Sequence, residues 1–310
     1  MNKLININEL KETRRTFSGN AGAKIGVIFN NEEYVVKYPK NISKMKNVEI
    51  KYSTSSLSEY IGSHIYGILG YPVHETLLGY DEDKLVVLCK NFDLENKFHE
   101  FKSVANRLRS KEIEEINFID GNTLDIKQII DIINVSSLIK NKKETIDRFF
   151  DMFVVDYLLN NNDRNNTNWG FMFDPLKDGP VELAPIYDCG NSFNNKLSNR
   201  QLLERLNDEN MFIERVVDGL SSSFELNGHQ LNFKNAFYNK EILDLGLRDA
   251  LIRNVLNIIN HFKEIEVFIN DIPESDGGIE ILPANYKEFI LKSLKMRLER
   301  TLVEAYESVK

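Results

Sequence analysis

The sequence predicts an α+β protein of two lobes, a small β-rich N-lobe with one helix over residues 1–91 and a larger, mostly α-helical C-lobe over 92–310. Three observations point there. Short apolar runs separated by turn residues fill the first part of the chain. After Asn91 the apolar spacing changes to the i, i+3, i+4 repeat of helices. A length of 310 residues also suffices for two lobes with their own packed cores. With 42% hydrophobic and 28% charged residues, the composition is that of a folded globular chain.

In chain order, β-like runs are expected at Lys24 to Asn30 and Glu33 to Lys37, a helix at Thr54 to Leu69, and further strands at His74 to Leu78 and Lys84 to Leu88. Gly70-Tyr71-Pro72 stops the helix, because glycine accepts the left-handed cap and proline cannot continue the hydrogen bonding. Helices are then expected at about 98–109, 123–140, 145–160, 241–261 and 284–307. The clearest runs to Asn160 and sets Ile146, Phe149, Phe150, Phe153, Val154, Tyr157 and Leu158 on one core-facing stripe. Trp169 to Phe173 and Val181 to Ala184 read as a hairpin whose turn holds Asp174-Pro175 and Asp178-Gly179-Pro180.

Thirty-nine basic against 47 acidic residues give a net charge of −8, which argues against a nucleic-acid partner or an anionic lipid surface. Cys89 and Cys189 lie outside any CxxC spacing and the five histidines are scattered, so neither a disulfide framework nor a zinc site is expected. Residues 1–10 lack the apolar core of a secretory signal and no run of about 18 apolar residues occurs. The expectation is a cytoplasmic protein without membrane insertion, or an effector exported by a signal-independent route.

The chemistry is concentrated in Asn160 to Gly170 and Tyr187 to Gly190. Asp163 begins a loop where the apolar stripe ends, Asn168 follows five residues later, and the hairpin can bring Asp188 back beside Asn168. An Asp that orients an acceptor hydroxyl, an Asn and a second Asp that hold metal, in this order, are what ATP-dependent phosphoryl transfer uses. Asp163 is therefore assigned as the catalytic residue and Asn168 and Asp188 as Mg²⁺ ligands, since Mg²⁺ takes oxygen donors and few carboxylates. Arg164, the second catalytic candidate, either neutralises developing charge or pairs with a nearby carboxylate. Gly190 is expected to permit the sharp turn after Asp188. The competing reading of 160–168 is an Asn-rich turn produced by composition.

Upstream, Ser18, Gly19, Asn20, Ala21, Gly22, Ala23 and Lys24 form a loop of small residues through which backbone N–H groups can approach phosphate. Lys37 ends an apolar run, as does the strand lysine that reaches nucleotide phosphates; Glu59, on the following helix, either holds Lys37 or is solvated. The strand running into Lys90, Asn91, Phe92 and Asp93 is placed where a hinge would offer backbone groups to adenine. The polar stretch from Asn191 to Phe233, with Ser221, Ser222 and Ser223, is either an activation-like loop or an excursion of the helical lobe.

Ser18-x-x-x-Gly22-x-Lys24, Lys37, Asn91-Phe92-Asp93, Asp163-Arg164-x-x-x-Asn168 and Tyr187-Asp188 together resemble the HipA-like serine/threonine kinases, the family of bacterial toxin kinases. Size and the Asn-rich motif look most like its short, cell-translocating member. The resemblance implies a two-lobed protein-kinase-like fold, ATP with Mg²⁺, a protein Ser/Thr acceptor and autophosphorylation at Ser18. Two departures stand out. Asn165 replaces the His that many members carry two residues after the catalytic Asp, and only about a dozen residues precede Thr13, so an antitoxin partner is not expected. Two other functions fit the same motif: a lipid or small-molecule kinase, and a nucleotide-binding pseudokinase that acts through a protein partner.

Overall fold

The computed structural model describes residues 3–13, 24–95, 97–108, 121–174 and 180–310. Strands β1 (Ile5–Asn6), β2 (Lys11–Glu12), β3 (Lys24–Phe29) and β4 (Glu32–Lys37) precede helix α1 (Ser55–Ile68), which leads to β5 (Thr76–Asp81) and β6 (Lys84–Lys90). These strands form one sheet in the order β1-β5-β6-β4-β3-β2, antiparallel except for β1 on β5. The two short edge strands at the N-terminus carry too little pattern to have been expected.

Alternation along the strands decides which side chains reach the functional face. Val27, Tyr34, Val36, Val86 and Leu88 pack together on one side. Val87 and Cys89 face the other side, where α1 lays Leu57, Ile61 and Ile65 against them in the main core. Lys37 is paired in register with Val87 and shares this inner side. Helix α1 ends as expected: Gly70 takes φ 82° and the Tyr71 N–H returns to the Tyr66 carbonyl at 3.0 Å.

Next come β7 (Phe98–Glu100), α2 (Phe101–Leu108), α3 (Ile126–Val135) and α4 (Lys142–Leu159), then the hairpin β8 (Gly170–Phe173) and β9 (Pro180–Leu183). The helix expected from residue 98 thus starts as a strand, because Phe98, His99 and Glu100 pair with Met172, Phe171 and Gly170. The stripe read on α4 is too narrow. Every residue from Phe149 to Leu159 is buried, including Asp151 and Asp156, so this helix runs through the core rather than along its edge.

The stretch 191–233 is not one long loop. It holds α5 (Asn199–Asn207), α6 (Glu209–Phe212) and the hairpin β10 (Ser221–Leu226) with β11 (His229–Asn232). Ser222 is buried there with its hydroxyl donating to the Phe224 carbonyl. The short helices α7 (Phe233–Phe237) and α8 (Lys240–Ile242), the long α9 (Arg248–Asn270), the small hairpin β12 (Ser275–Asp276) and β13 (Ile279–Glu280), α10 (Ala284–Arg297) and α11 (Val303–Val309) complete the chain. Helix α1 is tied to this half as well as to the sheet: Phe268 of α9 stacks on His64 with centroids 4.8 Å apart, and Asn257 Nδ2 donates to the Leu69 carbonyl at 2.8 Å. No helix among the described residues is long and apolar enough to cross a membrane.

Candidate active site

Helix α4 ends on Asn160, which adopts the left-handed conformation (φ 56°) that asparagine tolerates better than most residues. The loop that follows is folded by its own amides. Asn161 donates to Asp156 Oδ1 at 3.1 Å and accepts the Asp163 N–H at 3.3 Å. Asn165 accepts from the Thr167 N–H at 2.9 Å, and buried Asn166 donates to the carbonyls of Gly121 and Thr123. Biased composition does not account for this segment, since most of its asparagine side chains close a turn or bind the backbone.

These bonds present Asp163 exposed at the wall of a cleft of about 290 Å³ that Lys37, Glu59 and Asp188 also line. Enclosure by protein and the nearby Asp188 carboxylate push the Asp163 carboxyl above its ordinary value, against the pull of Asn165, Lys196 and Lys40. Nearly buried Asn168 hangs from the same loop, its Nδ2 donating to the Asp163 carbonyl at 2.6 Å.

Across the cleft, Lys37 Nζ donates to Glu59 Oε1 at 3.1 Å and to Asp188 Oδ1 at 3.0 Å. One ammonium therefore joins β4, α1 and the loop after β9. Glu59 is 1% exposed; burial would push its carboxyl up, but Lys37 and His74 outweigh this and hold it well below the usual carboxylate range. The same Oε1 accepts the Asp188 N–H at 3.1 Å and lies 3.0 Å from His74 Nε2. Lys37 itself stays charged: the loss of solvent is overcome by Asp188 and Glu59, and its pKa is raised. Glu59, His74 and Cys89 have ligand atoms within 4.8 Å of one another, but Glu59 is committed to Lys37 and to the Asp188 backbone.

The Asp188 loop is seated on α1 along its length. Ser58 Oγ donates to the Ser192 carbonyl at 3.2 Å, and the Thr54 N–H to the Asn195 carbonyl at 2.9 Å. Two glycines permit the approach. A Cβ on Gly62 would lie 2.7 Å from the Cys189 Cβ, and one on Gly190 would lie 3.1 Å from Glu59 Oε2. The expected role of Gly190 is thereby corrected: the left-handed residue of the turn is Asp188 itself (φ 60°), and Gly190 has no positive φ. Alanine at 62 would stabilise a free helix, but here it is expected to destabilise the protein by about 1–3 kcal/mol through overpacking. A urea midpoint equal to or above that of wild type would show that the loop is not packed there.

Arg164 is also corrected. It is 1% exposed, and its five N–H donors are all engaged away from the cleft. Nε and Nη2 grip Asp156 at 2.9 and 3.2 Å, Nη1 donates to the carbonyls of Asn168 and Tyr187, and Nη2 meets Cys189 Sγ at 3.7 Å. It cannot neutralise charge in the cleft, and it holds the Asn168 and Asp188 loops together. Asp156 was missed; its signal was a carboxylate within an apolar helix. His74 was missed because nothing in its sequence neighbourhood distinguishes it.

Lys90 is not a cleft residue. Strand alternation turns it to the far side, where it pairs with Glu32 at 2.6 Å and Glu75 at 3.6 Å. Asp93 accepts the N–H groups of Lys97 and Phe98 at 2.6 and 3.0 Å, and Phe92 packs with Phe98 and Tyr187, so both fold the connection behind the Asp188 loop. Lys24 starts β3 opposite Lys37 in the ladder. Ser18, Gly19, Asn20, Ala21, Gly22 and Ala23 lie outside the described residues.

A small sheet with one helix, a larger helical half, and a cleft where a strand lysine meets a helix glutamate and a loop aspartate define the two-lobed protein-kinase-like class. Within it the chain belongs to the family of the HipA-like C-terminal domain, whose model matches residues 19–245. Over 178 residues it is 37% identical to the serine/threonine-protein kinase CtkA of Helicobacter pylori (strain J99 / ATCC 700824), an alignment covering 57% of this chain and 52% of that protein. The matched segment thus spans about half the length of that curated relative. The crystal structure of a Helicobacter pylori proinflammatory kinase CtkA superposes with a TM-score of 0.84 at 27% identity, over 99% of this chain and 97% of that one. HipA of Shewanella oneidensis MR-1, solved with HipB and operator DNA, shares the fold at a TM-score of 0.52 and 14% identity, over 94% of this chain and 67% of that one.

Proposed function

We propose that this protein is an ATP- and Mg²⁺-dependent serine/threonine protein kinase that transfers the γ-phosphoryl group to protein hydroxyls. The observation that carries the proposal is the Lys37 ammonium held between Glu59 and Asp188 in the cleft that Asp163 also lines. Lysine, helix glutamate and metal-binding aspartate must be assembled together for kinase chemistry, and the serine/threonine kinase CtkA is a relative at 37% identity.

In this reading Glu59 fixes Lys37 for contact with the phosphates, and Asp163 orients the acceptor hydroxyl and accepts its proton. Asn168 and Asp188 fit Mg²⁺ as hard oxygen donors, and Asp188 Oδ2 has no hydrogen-bond partner among the described residues. Bound Mg²⁺ supplies neutralisation of phosphate charge. Ser18, outside the described residues, is proposed as an autophosphorylation site.

Label from [γ-³²P]ATP is expected on the protein itself and on casein, not on phosphoinositide vesicles. Label on lipid alone would make this a lipid kinase, and nucleotide binding without any transfer would make it a pseudokinase. EDTA is expected to abolish transfer and excess Mg²⁺ to restore it. Undiminished transfer in EDTA would remove the role given to Asn168 and Asp188.

A further inference from the structure

Asp163 has two cationic neighbours. Lys40, three residues past Lys37, and Lys196, eight past Asp188, line the same cleft, and neither forms an ion pair among the described residues. Lys196 is half-buried, and burial and Lys40 lower its pKa against the pull of Asp163, which only partly offsets them. A partly buried lysine facing another lysine costs free energy unless an anion joins them. Arg164 cannot be read as sharing the task, being consumed by Asp156.

Lys40 also opens a basic segment. Residues 40–51 contain four lysines (Lys40, Lys44, Lys46, Lys51) and one acid, Glu49, in a chain of net charge −8. The segment is a loop closed at its base, where the Ile42 N–H meets the Lys51 carbonyl and the Ser53 N–H meets the Lys40 carbonyl, each at 2.9 Å. Glu49 is taken by Arg200 and Ser198, which leaves Lys44 and Lys46 exposed with no ion pair among the described residues. Lys37 pairs with Asp188, whereas Lys40 and Lys196 act on Asp163, and the loop carries Lys44 and Lys46 onward from Lys40.

We propose that Lys196 and the loop 40–51, through Lys40, Lys44 and Lys46, form a docking track for an acidic polypeptide, so that the acceptor Ser or Thr is one flanked by carboxylates. The inference deepens the kinase reading but is tested by binding, independently of transfer. Two fluorescein-labelled peptides of equal length, each with a central Ser flanked by Asp or by Ala, are titrated with the full chain and followed by anisotropy. The acidic peptide is expected to bind about 10-fold more tightly, the sum of a few exposed ion pairs, with the preference shrinking as salt is raised. In Lys40→Ala/Lys196→Ala, and separately in Lys44→Glu/Lys46→Glu, the preference should disappear while affinity for a non-hydrolysable ATP analogue follows the wild type.

Equal binding of the two peptides by the wild type overturns the proposal. So does a double variant that loses the ATP analogue and keeps its peptide preference, which would give the lysines to the nucleotide. A single-stranded oligonucleotide of equal charge binding more tightly than the acidic peptide would overturn it too. Retained acidic-peptide binding with no phosphoryl transfer would leave this track standing and remove the kinase reading instead.

Discussion

Asp163→Asn is expected to lower phosphoryl transfer by about 10²–10⁴-fold, the usual contribution of a positioned general base, with affinity for ATP close to that of wild type. Asparagine keeps the shape and the backbone contacts of the loop, including the carbonyl that Asn168 grips, and removes only the proton acceptor. The carboxylate is exposed at the cleft wall and among the described residues its one side-chain bond is from Asn165 Nδ2 at 3.2 Å, so the chemical duty is tested directly. Turnover with [γ-³²P]ATP at saturating acceptor, set beside nucleotide binding, separates the two effects. Wild-type turnover would show that Asp163 does not face the acceptor.

Arg164→Leu is expected to destabilise the protein by about 3–5 kcal/mol, the cost of stranding one partner of a buried ion pair. Among the described residues Asp156 would keep only Tyr66 and Asn161 as donors, and the carbonyls of Asn168 and Tyr187 would lose their shared one. Lysine should not rescue, because three donors on a point charge cannot replace a planar fork holding two loops and a helix. Arg164→Leu combined with Asp156→Leu should recover part of the loss, since a buried pair removed whole costs less than one broken. Urea unfolding measures all three variants. A single variant as stable as wild type would mean that the loops are held by something else.

The extent to which this was legible follows from the range of each interaction. The spacing Asp163, Asn168, Asp188 and the hairpin between them depend on local turn chemistry and periodicity, which a linear pattern records. The same holds for the stop at Gly70 and for Lys37 ending a strand. Arg164 stayed open between two roles because a guanidinium beside a catalytic-type aspartate fits both in one dimension, and the structure gives it the carboxylate pairing, with Asp156. For Lys90 the expectation concerned backbone groups, which strand pairing decides: its N–H donates to the Glu75 carbonyl at 2.8 Å, and register turns its side chain to the far side of the sheet.

The sequence by itself determined the α+β order of elements and which oxygen-bearing residues are proposed for phosphoryl transfer, because both are written in short-range spacing. Only the tertiary structure decided that Glu59 is buried against Lys37 and Asp188, that His74 and Asp156 belong to the site, that Arg164 is a clamp, and that Lys40 and Lys196 confront each other at Asp163. Those facts depend on contacts between segments up to about 150 residues apart, where burial decides whether a charge must find a partner and packing decides which one it finds.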